Sequence, residues 1–190
     1  MAAVAAPKPK PISRRKRRWT EQDLLNLPND GRKYELVNGR LIEVPTGFRH
    51  GAISAGLVGR LYGARSADVI ICDSSTGFRT PDGNIRSPDV SVVRKERLPE
   101  GKLPVGFFDG VPDLAVEIIS PSEKSRDILA KVGEYLEAGA QEVWLLFPER
   151  KQVHRYRANL EVEVLHENDT LTGGTLIPEF AVRVGDLFAE

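Results

Sequence analysis

A strand–helix–strand pattern between residues 114 and 147 constrains the fold of this chain more than any other feature. Residues 114–119 and 142–147 are short apolar runs, and residues 125–138 between them carry apolar side chains at helical spacing. Gly139 is well placed to end that helix in a left-handed conformation. Two strands joined through a helix pair in parallel within one sheet. The pattern therefore predicts an α/β fold with a mixed central β-sheet flanked by helices.

An N-terminal β-hairpin is the clearest local prediction. Residues 33–37 and 40–44 are apolar-rich runs separated by Asn38-Gly39, and Asn-Gly favours the positive φ angles of a two-residue hairpin turn. The remaining pattern predicts a short helix after Thr20, a helix over 48–65, strands over 69–72, 85–93, 152–156 and 160–165, extended chain over 77–80, a turn over 81–84, a surface loop over 94–112, a short strand near Leu176 and a last turn over 184–188.

Charge divides the chain into two predicted regions. The chain has 27 Lys+Arg and 27 Asp+Glu, but residues 1–20 hold 7 of the basic residues and no acidic one. We predict a disordered basic arm over residues 1–18 and one folded domain over residues 19–190. Such an arm can bind phosphates through counterion release, or it can be a solvated tail, and both interpretations stay open.

Cysteine content and hydropathy indicate the compartment. The single cysteine, Cys72, excludes an internal disulfide and fits a reducing environment. The sequence has no apolar run of about 20 residues, the length that a transmembrane helix needs, and nothing resembles a secretory signal. We therefore expect a cytoplasmic protein without a membrane partner.

Two carboxylates occupy predicted strands that are otherwise apolar. The alternation of side chains along a strand places Asp89 and Val90 on opposite faces of their strand. Glu117 lies between Ala115 and Ile119 on one face of its own strand. A carboxylate in such a place needs a partner, a proton or a cation. Two of them on neighbouring strands suit Mg²⁺, which takes a few oxygen ligands plus water. The alternative is that each carboxylate reaches solvent or an arginine, which applies best to Asp89 because Pro-Asp is common in turns.

The order of these residues resembles a known family. Ser87-Pro88-Asp89, followed 28 residues later by Glu117, is similar to the PD-(D/E)XK nuclease signature. More narrowly, residues 20–165 resemble the Uma-two family of restriction-endonuclease-like proteins. The stretches that carry this resemblance are 34–41, the helix beginning near His50, 87–90, 117–122 and 131–144.

The resemblance implies a restriction-endonuclease-like core and hydrolysis of phosphodiester bonds in DNA with Mg²⁺ or Mn²⁺. Because nucleases that cut both strands often pair two sites by two-fold symmetry, we also expect a homodimer. A catalytically degenerate nuclease-fold module for nucleic-acid binding or dimerisation is the alternative. A hydrolase of small phosphorylated molecules is disfavoured because no Gly-rich phosphate loop is present.

The resemblance also assigns roles to single residues. Ile119 stands where the motif has lysine, and the resemblance implies that Lys131 replaces it, ahead of Lys124. The alternative for Lys131 is an i,i+4 pair with Asp127 on a solvated helix face.

Three further residues complete the site that the resemblance implies. Glu35 is offered as a third metal ligand, the backbone carbonyl next to Glu117, in Ile118 or Ile119, as a further ligand, and His50 as a contact to a phosphate or the attacking water. The alternatives are an outward-facing carboxylate for Glu35 and a surface histidine for His50. Arg86 or the basic arm would neutralise flanking phosphates.

Overall fold

The computed structural model describes residues 17–28, 32–44, 47–159 and 161–189. Three α-helices lie in this part of the chain: α1 (Glu21–Leu25), α2 (Phe48–Ala64) and α3 (Ser125–Glu137). The strands there are β1 (Lys33–Val37), β2 (Arg40–Val44), β3 (Val69–Asp73), β4 (Phe78–Arg79), β5 (Ile85–Arg86), β6 (Val90–Arg94), β7 (Phe108–Asp109), β8 (Leu114–Ile118), β9 (Glu142–Phe147), β10 (Gln152–Arg157), β11 (Val162–Leu165), β12 (Thr170–Gly173) and β13 (Ile177–Arg183).

A six-stranded mixed sheet in the order β11-β10-β9-β8-β6-β3 forms the centre of the fold. β8 and β9 pair in parallel and are joined through α3, whereas the other neighbours pair antiparallel. The α/β prediction and its strand–helix–strand unit are confirmed. Gly139 follows α3 with φ 106°, as the predicted end of that helix requires.

Two apolar clusters cover the two faces of this sheet. Leu114, Val116 and Ile118 of β8 pack on one face with α2 and the β12–β13 hairpin. Ala115 and Ile119 lie on the other face, against side chains of α3. Burial of each large apolar side chain contributes about 1.5–3 kcal/mol. Alternation therefore directs the residue at position 117 toward α3.

The predicted hairpin is confirmed and belongs to a second sheet. Asn38 and Gly39 form its turn with φ 52° and 72°, and β1 pairs with β2 over the full predicted register. β1 also pairs with β5, within a five-stranded sheet in the order β2-β1-β5-β4-β7. This pairing brings Glu35 on β1 close to Arg86 on β5.

The single strand predicted over residues 85–93 is wrong. The segment divides into β5 and β6, which belong to different sheets. Pro88 lies at the break, and because proline has no N–H it cannot continue a hydrogen-bonded ladder. Asp89 is thereby placed at the junction of the two sheets.

Two further segments differ from the sequence prediction. Residues 94–112 are more than a surface loop, since they contain two 3₁₀ turns and β7, with Phe108 buried. The short strand predicted near Leu176 corresponds to the start of β13, but its hairpin with β12 was not predicted. The last predicted turn is present and forms a 3₁₀ helix over Val184–Leu187. Most of the basic arm, residues 1–16, lies outside the described residues. Within the described ranges, no helix is both long and apolar enough to cross a membrane.

Candidate active site

Asp89 is fixed against the end of β8 by backbone and side-chain hydrogen bonds. Its N–H donates to the Val116 carbonyl at 3.0 Å, and its Oδ2 accepts from the Ile118 N–H at 2.8 Å. Ser54 on α2 donates to the Asp89 carbonyl at 3.0 Å. Asp89 is 3% exposed, so the alternative of a solvent-directed carboxylate is wrong. The carboxylate lies next to the peptide that follows Glu117.

His50, in the first turn of α2, contacts the same carboxylate. Its Nε2 lies 3.0 Å from Asp89 Oδ2. This hydrogen bond to Asp89 raises the pKa of His50 above its usual value. Burial raises the pKa of Asp89, but the hydrogen bond from His50 and the charge of Lys33 outweigh burial and hold that pKa below its usual value. The structure thus brings His50 to the predicted site instead of leaving it on the open surface.

Glu117 points toward α3, as the alternation of β8 requires. Tyr135 Oη donates to Glu117 Oε1 at 3.0 Å, and Lys131 Nζ donates to Oε2 at 3.1 Å. Burial is the largest influence on the pKa of Glu117, and together with the carboxylates of Asp89 and Glu35 it raises this pKa to about 7, against the lowering effect of Lys131. Ionisation of Glu117 is therefore opposed by burial and by the two neighbouring carboxylates.

Lys131 lies between two buried carboxylates. Its Nζ is 3.1 Å from Glu117 Oε2 and 3.6 Å from Glu35 Oε1. Burial lowers the pKa of Lys131, but these two carboxylates outweigh it and raise the pKa above its usual value. The alternative pairing with Asp127 on a solvated face is wrong, and Lys124 is exposed at the N-cap of α3. Lys131 is thus the lysine that the fold brings to Glu117.

Glu35 is buried, and its oxygens are engaged by other groups. Ser87 N–H donates to Oε1 at 3.0 Å, and Arg86 Nη1 donates to Oε2 at 2.9 Å. Burial raises the pKa of Glu35, but Lys131 and Arg86 outweigh it and lower the pKa below its usual value. The alternative of an outward-facing carboxylate is wrong, because Glu35 is 2% exposed. Its contacts position Arg86 and Lys131.

No three-ligand metal cluster is present in the described part of the chain, where no group of three or more His, Cys, Asp or Glu residues could hold a metal ion. This geometry argues against Glu35 as a third ligand. Asp89 and Glu117 remain as the two candidate carboxylate ligands of a metal ion.

Arg86 does not have the predicted role of neutralising phosphates. Its Nε donates to Glu134 Oε2 at 2.9 Å, and its guanidinium also pairs with Glu35. Asn84 donates to the other oxygen of Glu134 at 2.7 Å. Because Arg86 is 8% exposed and already paired with two carboxylates, its charge is not directed to a substrate. It links β1, β5 and α3 behind the site.

Lys33 was missed by the sequence prediction. Its Nζ donates to the Ser87 carbonyl at 2.6 Å and lies 3.7 Å from Asp89 Oδ1. One signal was available, since Lys33 and Glu35 are two residues apart on β1 and alternation puts them on the same face. Tyr135 is buried in the core, and its hydroxyl contact with Glu117 has no signal in the sequence.

The site residues surround one cavity of about 1050 Å³, whose lining includes Glu35, His50, Asp89, Glu117, Ile118 and Lys131. Asp89 Oδ1 accepts no hydrogen bond from residues that the structure describes, and the Lys33 ammonium lies 3.7 Å from it. Burial, and then the carboxylates of Asp89 and Glu35, raise the pKa of Glu117, so a cation would stabilise its charged form. Mg²⁺ needs one or two carboxylates plus water. Asp89 and Glu117 fit that requirement.

Comparison with known proteins agrees with this fold. The structure is similar to a crystal structure of a putative nuclease belonging to DUF820 from Anabaena variabilis, with a TM-score of 0.78 and 24% sequence identity, covering 89% of this chain and 97% of that one. The model of the Uma2 family, described as putative restriction endonuclease, matches residues 21–185. The chain therefore belongs to the Uma2 family, as the sequence predicted. A search of curated proteins gave no match.

Proposed function

We propose that this chain is a Mg²⁺- or Mn²⁺-dependent endonuclease that hydrolyses phosphodiester bonds in DNA. The observation that carries the proposal is the convergence of Asp89, Glu117 and Lys131 on one cavity, with Lys131 Nζ 3.1 Å from Glu117 Oε2. Membership of a family described as putative restriction endonuclease supports a nuclease activity. Carboxylates can hold a divalent cation that activates water, and a nearby ammonium can stabilise charge that develops on a phosphate.

Asp89 and Glu117 hold the metal ion in this proposal, and the Ile118 carbonyl adds a further ligand. When bound, the metal supplies positive charge that polarises the scissile phosphate and acidifies a water molecule. The hydrogen bond from Tyr135 orients Glu117. The N–H of Ile118 orients Asp89 by its hydrogen bond to Oδ2, which leaves Oδ1 directed to the cation.

Lys131 stabilises the negative charge that develops on the phosphate. Its ammonium remains charged because Glu117 and Glu35 raise its pKa, and a charge placed in advance in a buried site stabilises a transition state strongly. Glu35 holds this lysine at 3.6 Å. His50 uses one ring nitrogen on Asp89 and offers the other to a phosphate or the attacking water.

Two sequence features favour a degenerate, non-catalytic module: the lysine missing at Ile119 and the excess of acidic over basic residues in residues 21–190. Lys131 supplies a cation beside Glu117 from the following helix. The missing lysine therefore no longer favours the non-catalytic alternative.

Nucleic-acid binding would draw on the basic arm. Residues 1–16 contain Lys8, Lys10, Arg14, Arg15 and Lys16, and their structure lies outside the described residues. For each DNA phosphate that a protein neutralises, the logarithm of the binding constant falls by about 0.9 for every tenfold rise in salt concentration. Removal of residues 1–16 is expected to flatten the salt dependence of DNA binding. A two-fold homodimer is part of the proposal, and light scattering of the purified chain tests it.

The experiment is cleavage of supercoiled plasmid DNA with Mg²⁺ or Mn²⁺. Asp89→Asn, Glu117→Gln and Lys131→Met are each expected to lower the rate by about 10²-fold or more. Lys124→Met is the matched control, since Lys124 is exposed at the start of the same helix, and it should cleave like the wild type. Wild-type rates in the first three variants would refute the assignment. A wild type that binds DNA without cutting it, at any metal concentration, would favour the non-catalytic module.

A further inference from the structure

Lys33 places a positive charge on the metal-facing side of Asp89. Its Nζ lies 3.7 Å from Asp89 Oδ1, the oxygen that accepts no hydrogen bond within the described ranges. The other oxygen, Oδ2, is held by the N–H of Ile118 and by His50. The Lys33 ammonium therefore faces the oxygen through which Asp89 would bind a cation.

Lys33 and a divalent cation cannot both occupy this position. Mg²⁺ binds a carboxylate oxygen at about 2.0–2.1 Å, whereas the ammonium lies 3.7 Å from the same oxygen. A metal ion at Oδ1 would thus lie within a few ångströms of Nζ. Coulomb repulsion between charges of +2 and +1 opposes metal binding, or moves the lysine away.

Among the cations that the structure describes at the site, the buried Arg86 and the half-buried Lys33 and Lys131, Lys33 is the one best able to move. Arg86 is paired with Glu35 and Glu134, and Lys131 lies between Glu117 and Glu35. Lys33 is the first residue of β1, and its flexible side chain is tied to the Ser87 carbonyl by a hydrogen bond of 2.6 Å. A carbonyl is a neutral acceptor, so this contact opposes movement less than an ion pair would.

We propose that Lys33 is a built-in competitor of the divalent cation at Asp89, which weakens metal binding and stabilises the site when no metal is bound. This inference rests on the proposed metal site. Lys33 also lowers the pKa of both Asp89 and Glu117, as a counter-ion of these carboxylates should. Metal binding would replace the Lys33 ammonium by the divalent cation as the counter-ion of these carboxylates.

The experiment compares Mn²⁺ binding by wild type, Lys33→Met and Lys33→Arg, by calorimetry without nucleic acid. A +2 ion about 5 Å from an ammonium is repelled even at the dielectric constant of water by an amount that weakens binding about tenfold. Lys33→Met should therefore bind Mn²⁺ about tenfold more tightly, and Lys33→Arg, which keeps the charge, should bind like the wild type. In EDTA, Lys33→Met should melt at a lower temperature than the wild type, and Mn²⁺ should stabilise it more.

Each outcome decides between the possibilities. Equal or weaker Mn²⁺ binding by Lys33→Met would overturn the role of Lys33 and leave the metal site standing. Absence of Mn²⁺ binding in every variant would overturn both. Tighter binding by Lys33→Met with no DNA cleavage by the wild type would support the inference and refute the proposed function. Lys33→Gln, a smaller change in polarity, provides the same comparison if Lys33→Met does not fold.

Discussion

Replacing Glu117 by glutamine removes a buried carboxyl whose pKa differs strongly between the folded and unfolded chain. In the folded protein its pKa is raised to about 7, chiefly by burial and then by the charges of Asp89 and Glu35. In the unfolded chain a glutamate titrates at about 4.3. Between these values the folded protein holds a proton that the unfolded chain has lost. The free energy of unfolding therefore falls as pH rises.

The size of this effect follows from about 1.4 kcal/mol per pKa unit. Over the full window the wild type should lose about 4 kcal/mol of stability through Glu117, about 3 kcal/mol of it above pH 4.5, and Glu117→Gln should lose none of it. The stability of the variant relative to the wild type should thus increase by about 3 kcal/mol between pH 4.5 and pH 8. Glu35 and Asp89, whose pKa values are lowered, titrate below this window.

The assay is urea denaturation in EDTA at several pH values, followed by the fluorescence of the buried Trp144, which is 1% exposed. Glu123→Gln is the matched control, because Glu123 is exposed near the same site, and its stability curve should run parallel to that of the wild type. Parallel curves for the wild type and Glu117→Gln from pH 4.5 to pH 8 would refute the account of this carboxyl.

Two further variants test the network around the site. Arg86→Met leaves Glu35 and Glu134 without their shared counter-ion and should cost about 3–5 kcal/mol in urea denaturation, and a loss below about 1 kcal/mol would contradict the network. The pKa of His50 is raised, first by its hydrogen bond with Asp89. The protonated imidazolium therefore contributes to the free energy of unfolding, fully below about pH 6.5, and this contribution is lost as the pH rises through the raised pKa. The stability advantage of the wild type over His50→Gln should therefore shrink between pH 6 and pH 9 in EDTA, and a constant difference would count against the pair.

The sequence predicted those elements whose structure depends on residues that are close together along the chain. Asn38-Gly39 requires positive φ at both positions, so the hairpin followed from the turn itself. The strand–helix–strand unit followed from two apolar runs around one helical pattern. The break at Pro88 was missed because apolar alternation continues on both sides of it. The short strand predicted near Leu176 begins β13, but its full length was missed because Pro178 and Glu179 interrupt the alternation, while Phe180 and Val182 are buried.

The part of the site that could be predicted is the part where a charged residue lies among apolar residues of a single strand. Glu117 among apolar neighbours signalled a functional carboxylate, and the family resemblance supplied Lys131. The pairing of Arg86 with Glu35 and Glu134 was not predicted, because it joins β1, β5 and α3, which are distant in sequence. Lys33 escaped prediction for the same reason, since its partners, Ser87 and Asp89, are more than 50 residues away.

The central claim is that Asp89 and Glu117 together bind a divalent cation. A crystal of the wild-type chain soaked in Mn²⁺ and measured near the manganese absorption edge tests this directly. We expect an anomalous density peak about 2.1 Å from a carboxylate oxygen of both residues, with the Lys33 ammonium displaced from Asp89 Oδ1. Saturating Mn²⁺ with no peak between these two carboxylates, and Lys33 still 3.7 Å from Oδ1, would contradict it.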